Sequence, residues 1–152
     1  MYFRAFCRSA AELPPAALVE RLHAAGLAVV PHFTGDDLGW TEARLTLPGG
    51  GSPVPVSRFL TREDELRKDL NGFAAEVEAM DYYPDRAALM ERVIQTQQLV
   101  LLRRPIDHAD EASLDRLCLV VAQAAATFAD GVVQIDGRGW FTATGDVLVP
   151  EY

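Results

Sequence analysis

The chain has 152 residues, of which 49% are hydrophobic and 24% are charged. This composition is typical of a globular protein of about one domain, and it excludes a disordered chain, which would contain far fewer apolar residues. The 22 acidic residues outnumber the 14 Lys and Arg residues, so the net charge is −8. Because binding to nucleic acids and to anionic membranes needs a basic face, we expect neither as a partner.

The cysteines and the N-terminal residues indicate where the protein works. Cys7 and Cys118 are too few for the disulfide framework of a small secreted protein, so we expect two buried thiols. The N-terminal residues lack the apolar segment of a signal peptide, and the apolar stretch 114–129 is too short to cross a bilayer. These features predict a cytoplasmic protein, and the abundance of Arg and Ala predicts a bacterial source.

The first third of the chain predicts a strand, a helix and three further strands. The aromatic-rich residues 2–7 predict the first strand, and a pair of prolines predicts the start of a helix that ends at Gly26. Residues 27–33 predict the second strand. Its Pro31 cannot donate a hydrogen bond to a neighbouring strand, so we expect this strand at an edge or a bulge.

The third strand has the alternating pattern of a strand with one wet face. Trp40, Glu42 and Arg44 fall on one side, and Ala43 and Leu45 fall on the other. A glycine-rich hairpin tip follows and leads into a fourth strand.

The middle of the chain predicts two helices. Leu66, Leu70, Phe73, Val77 and Met80 repeat at intervals of four and three residues, which is the spacing of an amphipathic helix. We expect this stripe to face the core. A proline ends the helix, and a shorter second helix follows.

The last third predicts a strand, a long helix and a meander of three short strands. The apolar run 99–102 is typical of a strand covered on both faces. Asp107 and Asp110 are rival N-caps for the helix, which ends at an Asp-Gly pair. The strands of the meander are predicted at 132–135, 140–142 and 147–149.

The two ends of the chain share one order of elements: strand, helix and three strands. In each end, the strand after the helix leads through a turn into a Gly-Trp pair, Gly39-Trp40 and Gly139-Trp140. We interpret this as a duplicated β-α-β-β plan. Coincidence is the alternative, because β-α-β units are common.

This organisation predicts an α+β fold in a single domain, residues 1–152. The duplicated units are residues 1–60 and 97–152, and residues 61–96 are a helical insert between them. We expect a mixed β-sheet with the helices packed mainly on one face and with right-handed crossovers wherever the joined strands are parallel.

Four residues are candidates for a binding site. Trp40 and Trp140 either contact a ligand or partner, since Trp is enriched in binding hot spots, or pack in the core. Asp136 offers a carboxylate in the turn before Trp140, although turns also select Asp for its local hydrogen bonds. Arg138, in the same turn, either binds an acidic group of a ligand or is solvated.

Two further pairs carry a weaker signal. Asp107 and His108 start a helix after a strand, where α/β proteins often place active sites, but they also suit an exposed helix cap. Asp36 and Asp37 offer paired carboxylates, or are ordinary turn residues. The histidines lack metal-ligand spacing, and the sequence contains no phosphate-binding or nucleophile-elbow motif. We therefore predict no metal and no cofactor.

The segment Thr127–Val149 ends a helix at Asp130-Gly131, continues as a strand and opens a hairpin at Gly139-Trp140. In this it resembles the closing segment of several small uncharacterised bacterial proteins, some of which are similar to immunity proteins of bacterial toxin systems. The resemblance implies an acidic protein that blocks a toxin by binding to it, and it implies no catalytic residue.

We expect a non-enzymatic, immunity-like module that binds another protein. The alternative is a small enzyme or small-molecule-binding protein, with a cleft between the two halves near Trp40, Asp136, Arg138 and Trp140. A third reading is a homodimer formed by pairing of sheet edges. A deep pocket that holds two or more acids or a histidine, with room for a ligand, favours the enzyme, whereas a broad exposed apolar patch with an acidic rim favours the binding module.

Overall fold

The computed structural model describes residues 1–62, 64–106 and 110–151. Within these ranges the chain forms eight strands and four helices, and every predicted strand and helix overlaps one of them. The strands are β1 (Tyr2–Cys7), β2 (Val30–Asp36), β3 (Gly39–Thr46), β4 (Val54–Leu60), β5 (Gln98–Arg103), β6 (Gly131–Ile135), β7 (Gly139–Thr142) and β8 (Val147–Pro150). The helices are α1 (Pro15–Ala24), α2 (Asp64–Glu78), α3 (Arg86–Ile94) and α4 (Glu111–Phe128).

These strands form one sheet in the order β2-β3-β4-β5-β1-β6-β7-β8, and each neighbouring pair is antiparallel. Strand β1 lies between β5 and β6, so that Arg4 pairs with Leu101 on one side and with Gln134 on the other. Strands from both ends of the chain therefore alternate in the middle of the sheet. The predicted α+β class is confirmed.

The prediction of a mixed sheet is wrong. Helix α4 connects β5 to β6, which run in the same direction, but β1 lies between them and runs the opposite way. Helix α1 connects β1 to β2, which also run alike and are separated by β3, β4 and β5. Strands from elsewhere in the chain fill both gaps, so no parallel strands are neighbours in the described sheet.

The helices cover both faces of the sheet, which corrects the prediction that they pack mainly on one face. Successive residues of a strand point to opposite faces. In β1, Ala5 belongs to the core under α1 and α4, whereas Phe6 belongs to the core under α2 and α3. The predicted stripe of α2 is buried in this second core through Leu70 and Val77. The apolar stripe of α2 needs an apolar sheet surface on which to pack. Strand β5, which is covered on both faces, supplies part of that surface through Leu99.

The interpretation of the two ends as duplicated units is contradicted by the sheet order. After α1, the chain enters the outermost strand, β2, and the meander moves inward to β4. After α4, the chain enters β6 next to the centre, and the meander moves outward to β8. The two meanders therefore have opposite lateral orders, and the shared element order is a coincidence of β-α-β connections.

The two Gly-Trp pairs nevertheless depend on glycine for the same reason. Gly39 and Gly139 open β3 and β7 with φ of 110° and 115°, a region that other residues rarely adopt. A Cβ at Gly139 would collide with the carbonyl oxygen of Val149 in the neighbouring strand. Each glycine therefore permits a tight entry into its strand.

A bulge in β3 changes the face on which Trp40 lies. Thr34 of β2 pairs with Glu42, but the next residue, Gly35, pairs with Trp40, so Thr41 is the extra residue. Trp40 is turned to the face of Ala43 and packs in the α1/α4 core. The prediction that Trp40 shares the wet face of Glu42 is therefore wrong.

The outer strands of the sheet, β2 and β8, each contain a proline. Pro31 lies within β2, which confirms its predicted place at an edge, and Pro150 ends β8. A proline has no N–H to donate, so it makes an exposed edge a poor template for pairing with a second copy.

Candidate functional site

The two tryptophans predicted as binding residues are buried on opposite faces of the sheet. Trp40 is 5% exposed in the α1/α4 core, and its indole N–H donates to the carbonyl oxygen of Leu13 at 2.9 Å. Trp140 is 3% exposed in the α2/α3 core, with its ring centroid 5.0 Å from that of Phe6. Both tryptophans therefore pack in the core, which was the alternative to a binding role. Because the sheet separates them, they do not line a common cleft.

Asp136, the third candidate, holds the ends of two neighbouring strands together. Its carboxylate accepts hydrogen bonds from Arg4 at 2.6 Å and from the backbone N–H of Tyr2 at 3.0 Å. Burial opposes ionisation, but these hydrogen bonds outweigh it and lower the pKa of Asp136. The carboxylate is thus ionised and paired within the fold.

Arg138, the fourth candidate, is engaged by a carboxylate of α4. Its two terminal nitrogens donate to Asp115 at 2.6 and 3.1 Å, and Arg104 donates to the same carboxylate at 2.9 Å. The bond from Arg138 is the largest influence on the pKa of Asp115, which is lowered despite partial burial. The guanidinium also lies over the ring of Phe3, at 5.6 Å from the centroid. These contacts assign Arg138 a structural role.

A buried arginine network was not predicted. Arg58 of β4 is 5% exposed and donates to Gln98 of β5 and to the carbonyl oxygens of Ala10, Leu38 and Trp40 at 3.1–3.2 Å. Burial lowers its pKa, while the carboxylates of nearby acids oppose that shift. The sequence did carry a signal for the burial of Arg58, because this residue follows Val54 and Val56 at the alternate positions that form the buried face of β4.

The two cysteines are buried thiols without a disulfide partner, as predicted. Burial raises the pKa of both Cys7 and Cys118 to about 12. A reactive cysteine needs a lowered pKa, because the thiolate is the nucleophile. Neither side chain is therefore poised for nucleophilic catalysis.

The remaining acid and histidine candidates show no catalytic arrangement among the residues described. Asp36 accepts a hydrogen bond from the backbone N–H of Leu38 at 2.8 Å, which is the local turn bond expected of Asp. His23 and His32 are exposed. Asp107 and His108 lie outside the described residues, and Asp110 caps α4 by accepting from the backbone N–H of Ser113.

Residues 1–62, 64–106 and 110–151 contain neither a metal cluster nor a membrane span. No three His, Cys, Asp or Glu side chains in these ranges form a group that could hold a metal ion. None of the four helices is long and apolar enough to span a bilayer.

One part of the sheet is left uncovered by helices. The α2/α3 core contains no described residue of β2 or β3. On that face, Glu42 and Arg44 of β3 are exposed, and Ser57 of β4 is half-buried. Their pairing places Glu42 opposite Ser57, and Arg44 opposite Pro55. The result is an open, polar sheet surface next to the covered half.

A hollow of about 760 Å³ lies at the end of this open surface. We call it the arginine hollow. Its walls come from β3, the β3–β4 hairpin, the start of β4, the residues at and after the end of β5, and Met1. The lining residues are Met1, Arg44, Ser52, Pro53, Pro55, Arg103, Arg104, Pro105 and Ile106.

The arginine hollow contrasts with the acidic composition of the chain. No Asp or Glu is found among the described residues that line it. Arg104 is paired with Asp115, but Arg44 and Arg103 are exposed and have no ion-pair partner in the described part of the chain. Ile106 is 94% exposed at the rim. The hollow therefore offers two exposed guanidinium groups, without an ion-pair partner among the residues that the structure describes, beside apolar surface.

Comparison of the chain with protein-family models, with curated proteins and with solved structures finds no match.

Proposed function

We propose that this chain is a non-enzymatic module of the bacterial cytoplasm that binds another protein through the arginine hollow. The observation that carries the proposal is the pair of exposed guanidinium groups of Arg44 and Arg103, which have no ion-pair partner among residues 1–62, 64–106 and 110–151, in a recess next to exposed Ile106. The contacts of Asp136, Arg138 and both tryptophans within the fold leave this recess as the stronger binding surface.

The composition of the hollow fits a protein interface. Arg and Met are enriched in interfaces, whereas Lys, Asp and Glu are depleted, and the described lining of the hollow contains none of those three depleted residues. Proline side chains give rigid apolar walls without a conformational cost. The surface therefore combines fixed shape with a few strong hydrogen-bond donors.

The charge of the hollow selects the partner. Guanidinium groups form paired hydrogen bonds with carboxylates, so the expected partner presents Asp or Glu side chains flanked by apolar residues. A net charge of −8 by itself favours a basic or neutral partner, but the contact is decided by the local charge of the hollow. Two exposed arginines on such an acidic chain are a poor match for a nucleic-acid backbone.

An immunity protein is the particular form of this proposal that the resemblance of residues 127–149 favours. In that form the partner is a toxin. The resembling segment comprises the end of α4 and strands β6 to β8. None of its residues is in the described lining of the arginine hollow, so it supports the scaffold and does not supply the contact.

The test is a charge reversal with a matched control. In the hollow variant, Arg44→Glu is combined with Arg103→Glu. In the control, Arg21→Glu is combined with Arg116→Glu, two exposed positions on α1 and α4 that give the same net charge. Tagged forms are recovered from the native cell, and bound proteins are quantified by mass spectrometry. We expect a partner to be retained by the wild type and the control and lost by the hollow variant.

Retention of the same proteins by the hollow variant as by the control would overturn the proposal. Sedimentation of each purified form separates a homodimer from a heteromeric complex. The immunity form is tested by expressing the product of each neighbouring gene alone and with this chain. Relief of toxicity by the control but not by the hollow variant supports it, and the lack of any toxic neighbour contradicts it.

A further inference from the structure

A second hollow lies between α3 and the strands β6 to β8, on the α2/α3 face of the sheet. Its volume is about 380 Å³, which is within the range of small-molecule sites. We call it the α3 hollow. Its lining residues are Tyr83, Ala88, Leu89, Arg92, Gly131, Val132, Thr142, Ala143 and Leu148. Most of these side chains are apolar.

Arg92, which lines this hollow, carries a hydrogen-bond donor without a partner among the described residues. Its Nε is buried and has no hydrogen-bond partner among the described residues. One terminal nitrogen, Nη1, is 3.5 Å from a carboxylate oxygen of Asp130. Asp130 is held more closely by Arg8, at 2.8 and 2.9 Å. A buried donor without an acceptor is unfavourable, so a ligand that supplies the acceptor gains binding energy.

Tyr83, another lining residue, adds a second donor. Its hydroxyl group has no hydrogen-bond partner in the described part of the chain. Burial, assisted by the charge of Asp85, raises the pKa of Tyr83, so the phenol remains protonated and able to donate. The hydroxyl of Thr142, in contrast, already accepts from the backbone N–H of Asp146 at 3.0 Å.

We propose that the α3 hollow binds a small amphipathic carboxylic acid. The carboxylate accepts hydrogen bonds from Arg92 and Tyr83, and the apolar body of the acid packs on Leu89, Val132 and Leu148. A monoanion fits better than a dianion such as a phosphate, because Asp85 and Asp130 lie close by and repel added negative charge. The α3 hollow is lined by β6 to β8 and the arginine hollow by β3 to β5, so the two proposals are independent.

The experiment measures binding of defined acids to the purified full chain. Octanoate and 3-phenylpropionate are titrated into isotope-labelled protein, and the amide chemical shifts of Gly131 and Ala143 are followed. Octanamide and 3-phenylpropionamide have the same bodies without the charge. We expect at least one acid to bind, and its amide to bind roughly tenfold or more weakly, because a charge-assisted hydrogen bond is lost.

Two variants with matched controls locate the site. Arg92→Gln removes the charged donor, and Arg86→Gln removes an arginine of the same helix that pairs with Asp81 outside the lining. Ala88→Leu fills the hollow from an exposed helix position, and Ala87→Leu adds the same bulk at the neighbouring position outside the lining. We expect Arg92→Gln and Ala88→Leu to weaken acid binding roughly tenfold and both controls to leave it unchanged.

The proposal is overturned if neither acid binds, if acid and amide bind equally, or if Ala88→Leu binds the acids as the wild type does. Should Arg92→Gln fail to fold, the Ala88→Leu and Ala87→Leu pair and the acid–amide comparison still decide the matter. If neither acid binds, the result of the charge-reversal test of the arginine hollow still stands by itself.

Discussion

Charged side chains around the β6–β7 turn stabilise the fold through paired hydrogen bonds. Asp115 receives two bonds from Arg138 and one from Arg104, and the three side chains are only partly exposed. A carboxylate held by two guanidinium groups is a stronger contact than an isolated surface ion pair. The turn is therefore anchored to the first part of α4.

The change Asp115→Asn should lower the free energy of unfolding by about 1–2 kcal/mol near neutral pH. Because the pKa of Asp115 is lowered in the folded state, its contribution is present above the unfolded value of about 3.9. It is lost as the pH falls through the folded value, so the deficit of the variant should shrink there. Urea denaturation of both proteins across this pH range measures it.

Asp69→Asn is the matched control, because Asp69 is exposed on α2 and has no partner among the described residues. It should change the stability by less than about 0.5 kcal/mol. Equal penalties for the two variants would contradict the role given to Asp115.

Two glycines with opposite requirements provide a second test at the scale of residues. Gly72 lies in α2, and a Cβ added there would meet nothing within 4 Å, so Gly72→Ala should stabilise the protein by about 0.5–1 kcal/mol. Gly139→Ala should destabilise it, because of the positive φ and the collision with Val149. Thermal melts measure both, and a lowered melting temperature for Gly72→Ala would contradict this prediction.

At the scale of elements, the Arg58 network ties the segment between β1 and α1 to the adjacent strands. Arg58 donates to Ala10, and Gln98 donates to the carbonyl oxygens of Ser9 and Ala11 at 3.0 Å. Glu12 of the same segment accepts from the backbone N–H of Trp40. The segment has no regular structure, so these side chains fix its position.

Replacing Arg58 with Leu should lower the free energy of unfolding by about 3 kcal/mol or more, because Gln98 and several buried carbonyl oxygens lose their donor. Arg44→Leu removes an exposed arginine from the opposite face of the neighbouring strand and should cost less than about 0.5 kcal/mol. Chemical denaturation compares them. Similar stabilities for the two variants would show that the network contributes little.

The elements themselves were predictable because their signals are local. The stripe of Leu70 and Val77 identified α2, and the apolar run of β5 identified a strand covered on both faces. The face of Trp40 was not predictable, because a single extra residue at Thr41 reverses the alternation. A bulge of this kind leaves no mark in the hydrophobic pattern.

At the scale of the whole molecule, periodicity reports which residues are buried but not which strands are neighbours. The place of β1 between β5 and β6 depends on pairing between residues that are far apart in the chain, such as Arg4 with Leu101 and Arg4 with Gln134. The sheet order overturned the duplicated plan and the mixed sheet. Both predictions had been inferred from the order of elements along the chain, which does not determine which strands are neighbours in the sheet.

The candidate site was less predictable than the fold. Asp136, Arg138 and both tryptophans are chemically conspicuous in the sequence, but each is engaged by neighbours that the sequence does not bring together. The arginine hollow combines Arg44 with residues about sixty positions away, and its prolines and Ile106 belong to no motif. Only the pairing of β3, β4 and β5 brings them to one place.

Both hollows depend on β1 lying in the middle of the sheet, because this order leaves one half of the α2/α3 face open and covers the other half. Backbone nuclear Overhauser effects in the isotope-labelled protein measure that order directly. We predict contacts from Arg4 to Leu101 and from Arg4 to Gln134 in the same molecule. Contacts from β1 to strands of residues 1–60 alone, with neither of these two, would contradict the account.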